Sequence, residues 1–297
     1  MPEGSHIRQG FFDRAYTFGR MIKFSHSIFA LPFALVSGIV VVSMEQVQLT
    51  WLDVLLLLLC MVSARTAAIG FNRIADRGID AENPRTKNRE LPSGTIQTRE
   101  AWLFTGIATI VFIGASFGIN LLCGILSIPL LALLYSYSLT KRYTWASHIV
   151  LGACLGAAPI GVWFALTGSF HSAPILLGLG VTLWTAGFDI YYSLQDQEFD
   201  REKGLQSVPA RFGKWQSLWI ARFIHFLAVV AYAGFGVVIG LSFLYWIGLA
   251  TVAGILVYEA WLLRKGDLSK IDLAFFTMNG YVSILFAVAV AVDMIFL

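Results

Sequence analysis

A chain of 297 residues that is 57% hydrophobic and only 13% charged, with a mean hydropathy of +0.72, is too apolar for an ordinary soluble domain. Its apolar runs are near the length of about 20 residues that a helix needs to cross a bilayer, and their unbroken hydrophobicity excludes a β-barrel, so the expected fold is an all-α polytopic membrane protein. The net charge of +3 does not point to nucleic acid, because the basic residues are spread over short loops, and Cys60, Cys123 and Cys154 lack the spacing of a disulfide framework or a zinc site.

In chain order, residues 1–27 place Arg8, Arg14, Arg20 and Lys23 among Phe11, Phe12, Tyr16, Phe18 and Phe24, the pattern of an amphipathic helix lying at the membrane interface. This polar, basic start is not a cleavable signal peptide. The remainder, 28–297, reads as one transmembrane domain with nine spans, at 28–44, 51–71, 101–118, 121–139, 146–167, 173–193, 223–241, 243–263 and 273–297, bundled around a central cavity. Nine spans put every Lys and Arg except Arg65 on one side and leave the opposite loops without any. That asymmetry predicts a cytoplasmic active-site face with the C-terminus outside; the expected location is the inner membrane of a bacterium.

The chemistry gathers at two acidic stretches. Asn72, Asp76 and Asp80 fall four residues apart in NRIADRGID, so a helix continuing off the second span would stack all three on one face. Asp196 and Asp200, in SLQDQEFD, repeat the spacing at the end of another apolar segment. Carboxylates crowded at one membrane surface repel one another unless a cation neutralises them, and hard oxygen donors suit Mg²⁺, which bridges carboxylates to a substrate's phosphates. Basic residues beside the motifs, Arg142 and Lys203 among them, supply partners for the remaining phosphate oxygens, so the site looks built for a diphosphate.

Arg65 lies seven residues before Asn72, and Asp189 lies seven before Asp196. Charges at that depth face a cavity or a partner. They are read either as a buried ion pair holding two helices together or as a site where Arg65 binds an anionic acceptor group; the two do not exclude each other. Tyr137 and Lys141, four apart, present a phenol and an ammonium at the same mouth, as a diphosphate clamp or as an ordinary interfacial pair, and Arg89 is a clamp residue or a loop charge. The single histidines His26 and His148 are read as non-catalytic.

These residues carry a resemblance to the UbiA superfamily of intramembrane aromatic prenyltransferases. The family's NDxxDxxxD and RPLPSG blocks stand here as NRIADRGID and NRELPSG, with Arg73 in place of an Asp and Glu90 in place of a Pro. Its DxxxD block stands as Asp196 and Asp200, followed by GLQSVPARFG, and YSLTKRYT matches a third block. The resemblance implies a polyprenyl diphosphate held through Mg²⁺ by Asn72, Asp76, Asp80, Asp196 and Asp200, with Lys141, Arg89 and Tyr137 on the diphosphate. It implies transfer of the prenyl group to a small aromatic acid, with Asp76, Asp196 and Asp189 as catalytic carboxylates and Arg65 on the acceptor. Within the superfamily the chain is similar both to 4-hydroxybenzoate polyprenyltransferases and to the menaquinone enzymes that prenylate a dihydroxynaphthoate, towards which FDIYYSLQDQEFD and FFTMNG lean. Of the other classes, a secondary transporter would hold its charges near the midplane rather than at one surface, and the DGxxAR signature of a CDP-alcohol phosphotransferase is absent.

Overall fold

The computed structural model describes residues 17–19, 21, 29–266, 268–271 and 273–296. Most of the segment assigned to the interface, His26 included, lies outside them; Phe18, which is inside, packs on Phe104 with ring centroids 4.5 Å apart. The described residues form helices and no strands: α1 (Leu31–Met44), α2 (Trp51–Ala75), α3 (Arg77–Glu82), α4 (Thr98–Ile119), α5 (Leu121–Thr140), α6 (Ser147–Thr167), α7 (Ser172–Ser193), α8 (Gln197–Glu202), α9 (Val208–Phe212), α10 (Lys214–Ile239), α11 (Phe243–Leu262) and α12 (Asn279–Phe296). Among them, eight helical stretches are long and apolar enough to cross a membrane, and the 14-residue α1 adds a ninth apolar helix. At about 1.5 Å per residue α1 is short for a bilayer.

Local chemistry sets the ends. Thr50 and Asp53 form a reciprocal capping box that starts α2, Gln97 and Glu100 do the same for α4, and Asn120 caps α5 by accepting from Cys123 N at 2.7 Å. Two expectations need correction. The span expected at 223–241 begins at Lys214, because Arg222 is accommodated within the helix, its guanidinium over the Trp219 ring at 4.8 Å and donating to Ala260 O at 3.2 Å. The charged segments expected as loops contain the short helices α3, α8 and α9.

The core is built on α7. Two thirds of its apolar stretch is buried (67%), against 22–39% for the other spans, which face lipid. Lipid is as apolar as the core, so close packing rather than water exclusion holds these helices together. On one side of α7, a Cβ added at Gly152 would sit 2.1 Å from Thr182 O and one at Gly156 2.3 Å from Gly178 O, so glycine lets the α6 and α7 backbones touch. On the other, Phe33 of α1 packs against Trp184, Tyr232 and Phe286 at 5.2, 5.8 and 5.3 Å, joining α1, α7, α10 and α12.

Buried polar groups brace the bundle. Asp293 of α12, 0% exposed, accepts from Ser242 N at 2.7 Å and Tyr245 N at 3.0 Å, capping α11 from another helix. Near the opposite end of α11, Asn279 accepts from Trp184 Nε1 at 2.7 Å and donates to Glu259 at 3.3 Å and to Ala274 O at 3.1 Å. The last contact holds a π-helical turn, Leu273–Met278, that precedes α12.

Candidate active site

Both acidic motifs are built the same way. The long helix α2 stops at Ala75, Asp76 takes φ −91° and ψ 3°, and the six-residue α3 follows with Asp80 in its first turn. After α7, Asp196 takes φ −101° and ψ 5°, and the six-residue α8 carries Asp200. The single continuous helix expected through Asn72, Asp76 and Asp80 is therefore broken at Asp76. Lys141 and Arg142 pull the Asp76 carboxylate sideways, at 3.4 and 3.1 Å, while Asn72 donates to it at 3.0 Å.

The two motifs face one cavity of about 230 Å³. Asn72, Asp76, Asp80, Arg89, Tyr137, Lys141, Asp189, Asp196 and Asp200 all line it. Arg89 Nη1 contacts both Asp80 oxygens at 2.8 Å, and the loop between is fixed by Thr86 Oγ1 donating to Asp80 O at 3.0 Å. Three predicted residues lie off the cavity wall. Arg142 reaches Asp76 from beside it, Lys203 pairs with Glu82 at the surface, and Arg65 lies deeper in α2. The ion pair considered between Arg65 and Asp189 is also corrected, since Asp189 is held by His148 Nδ1 at 2.7 Å.

Residues that sequence reasoning passed over close the site. Arg85 spans from the first motif's loop to the second motif: Nε is 2.9 Å from Asp196 Oδ1, Nη2 pairs with Oδ2, and Nη1 donates to Tyr192 OH at 3.2 Å. Asn83 donates to the same Asp196 oxygen at 3.1 Å. Burial works against the Arg85 charge, yet the hydrogen bond and charge of Asp196, with Tyr192 and Asp80, outweigh it and hold the guanidinium more firmly protonated than usual. Gln206 N donates to Lys141 O at 2.5 Å, so a third charged loop joins the other two. Phe275, from the π-helical turn, completes one wall against Tyr192, with ring centroids 4.2 Å apart. The signals were faint: Arg85 stands four residues before Arg89, and Tyr192 four before Asp196.

Among the described residues, no three His, Cys, Asp or Glu side chains converge on a point as a ready-made metal centre. The chemistry of the cavity wall nonetheless fits a hard divalent cation, because the Asn72 amide and the four Asp carboxylates offer only oxygen to a metal, and the cations balancing them are those a diphosphate needs.

Comparison with known proteins places the chain in a family. The UbiA prenyltransferase family matches residues 30–281. A 4-hydroxybenzoate octaprenyltransferase from Pseudomonas aeruginosa (strain UCBPP-PA14) is 34% identical over 220 residues, 72% of each chain, and one from Alkalilimnicola ehrlichii is 28% identical over 92% of this chain and 93% of its own. Among solved structures, the apo UbiA homolog from Aeropyrum pernix K1 has a TM-score of 0.81 at 30% identity, covering 91% of this chain and 98% of that one. A UbiA homolog from Archaeoglobus fulgidus bound to DMAPP and Mg²⁺ has a TM-score of 0.67 at 16% identity, covering 92% and 99%. The match begins before α1 ends and runs into α12, taking in both acidic motifs and every residue of the cavity wall; the chain belongs to the UbiA prenyltransferase family and is a membrane-embedded prenyltransferase.

Proposed function

We propose that this protein transfers a polyprenyl group from a polyprenyl diphosphate to a small aromatic acid of the 4-hydroxybenzoate type, with Mg²⁺, in ubiquinone or menaquinone biosynthesis. The observation that carries the reading is the pairing across one cavity of two carboxylate motifs with Arg85, Arg89 and Lys141. The names of the similar proteins support the donor and acceptor classes. Asn72, Asp76, Asp80, Asp196 and Asp200 would hold the metal, which when bound neutralises charge on the diphosphate. Arg89, Lys141 and Arg85 turn from their carboxylates to the diphosphate oxygens, with Arg142 and Lys203 adding positive potential at the rim. As the C–O bond breaks, the diphosphate leaves with the electron pair, and the allylic carbon is attacked by the ring carbon of the acceptor. Asp189 faces that ring, and Arg65, on the Asn72 face two turns deeper, takes the acceptor carboxylate. The site opens to the cytoplasm of a bacterial inner membrane.

One observation favours a second acceptor, a dihydroxynaphthoate. Tyr192 and Phe275, from the two stretches that lean towards the menaquinone enzymes, form an aromatic wall on which a fused ring system stacks. The test is incubation of the purified protein in lipid with Mg²⁺, a long-chain prenyl diphosphate and each acceptor separately, with Asp76→Ala and Asp196→Ala as controls. Product from one acceptor, lost in both variants, names the reaction; product that survives both substitutions refutes the site.

A further inference from the structure

His148, we infer, is a positioning residue for the transfer: it aims the Asp189 carboxylate at the phenolic hydroxyl of the acceptor. The imidazole is 4% exposed in the first turn of α6 and touches two other elements. Its Nδ1 lies 2.7 Å from Asp189 Oδ2 on α7, and its Nε2 lies 3.3 Å from the Val208 N–H at the start of α9.

The second contact fixes the tautomer. A backbone N–H only donates, so Nε2 must present its lone pair, and the ring proton resides on Nδ1. Protonating Nε2 would set two N–H groups against each other. His148 therefore donates to one oxygen of Asp189 and stops the carboxylate from turning towards the cations around the cavity. The other oxygen is left for the acceptor, and Asp189 keeps 22% of its side chain open to the cavity. The same imidazole ties Asp189 to the segment that follows the second acidic motif, through the Val208 N–H at the start of α9.

This role rests on the proposed reaction. As the ring carbon forms the new C–C bond and the diphosphate departs with the C–O electron pair, the phenolic O–H proton passes to Asp189. On rearomatisation the oxygen recovers that proton, and the ring C–H proton goes to the released diphosphate or to water.

The experiment uses the purified full-length protein in lipid with Mg²⁺, a long-chain prenyl diphosphate, and 4-hydroxybenzoate beside its more acidic 3-fluoro analogue. His148→Leu is expected to lower kcat by about 10- to 100-fold, the range for losing a group that orients a reacting residue, with KM for the prenyl diphosphate unchanged. His148→Asn, whose side-chain nitrogen stands near the Nδ1 position and still donates, recovers most of the rate. The Leu defect shrinks on the fluorinated phenol, whose proton needs less help to leave; a purely structural role lowers both acceptors equally and is not rescued by Asn. Equal losses on both acceptors, or an unchanged kcat, overturn the inference while leaving the reaction standing. No product from the wild type overturns the reaction and this inference with it.

Discussion

Arg85 is the side chain that joins the two halves of the site, and the join has a measurable energy. Its guanidinium meets Asp196 through two nitrogens and also donates to Tyr192 OH, 3.2 Å away. A hydrogen bond to a charged partner contributes about 1.5–3 kcal/mol. The Arg85 side chain keeps 33% of its surface and Asp196 17%, so solvent screening brings the pair to about 1–2 kcal/mol. The perturbation is a double-mutant cycle of Arg85→Met, Asp196→Asn and the pair, with unfolding followed in mixed micelles. The loss in the double variant should fall short of the sum of the single losses by that about 1–2 kcal/mol. Loosening the join also lets the first motif's loop drift from the second, so Arg85→Met should raise KM for the prenyl diphosphate. Additivity within about 0.5 kcal/mol, with KM unchanged, would show that the contact couples nothing and refute the account of how the cavity is closed.

Asp293→Ala strips the acceptor from two backbone N–H groups at the start of α11 and should destabilise the protein by about 2–4 kcal/mol at roughly 1–2 per orphaned donor, while folded molecules keep their kcat. Gly156→Val drives a side chain into Gly178 O and Thr182 Oγ1, whereas Gly161 on the same helix has open space around its Cβ position; thermal unfolding should separate the first from Gly161→Val by about 1–3 kcal/mol. Arg65→Leu should raise KM for the acceptor by about 10- to 100-fold, the equivalent of one charge-assisted hydrogen bond, and leave KM for the prenyl diphosphate alone; the opposite pattern removes Arg65 from the acceptor site. Chelating divalent ions should abolish transfer and Mg²⁺ restore it, and turnover that survives chelation removes the metal from the proposal.

How much of this was legible depends on whether a feature is local. The spans follow from apolar length, and the two acidic motifs from a spacing of four. The break at Asp76 does not, because Asp80 N still donates to Asp76 O at 2.8 Å across it, so the spacing is the same in one helix as in two. At the turn Lys141 and Arg142 hold the Asp76 carboxylate and Arg142 also donates to Ala75 O at 2.6 Å, and both belong to the distant α5–α6 junction. The partner of Asp189 was harder still, since Arg65 and His148 are both plausible by depth alone.

The choice between them is made by glycine. His148, Gly152 and Gly156 fall four apart and share one face of α6, the face drawn onto α7 by backbone contact at Thr182 and Gly178. The two helices run antiparallel, so moving back along α6 from Gly156 to Gly152 to His148 means moving forward along α7 from Gly178 to Thr182 to Asp189. The close approach that lets the backbones touch therefore also brings His148 level with Asp189. A histidine one turn before a small-residue face is a stronger sign of tertiary pairing than its isolation in the sequence suggests, and that face could have been read from the spacing alone.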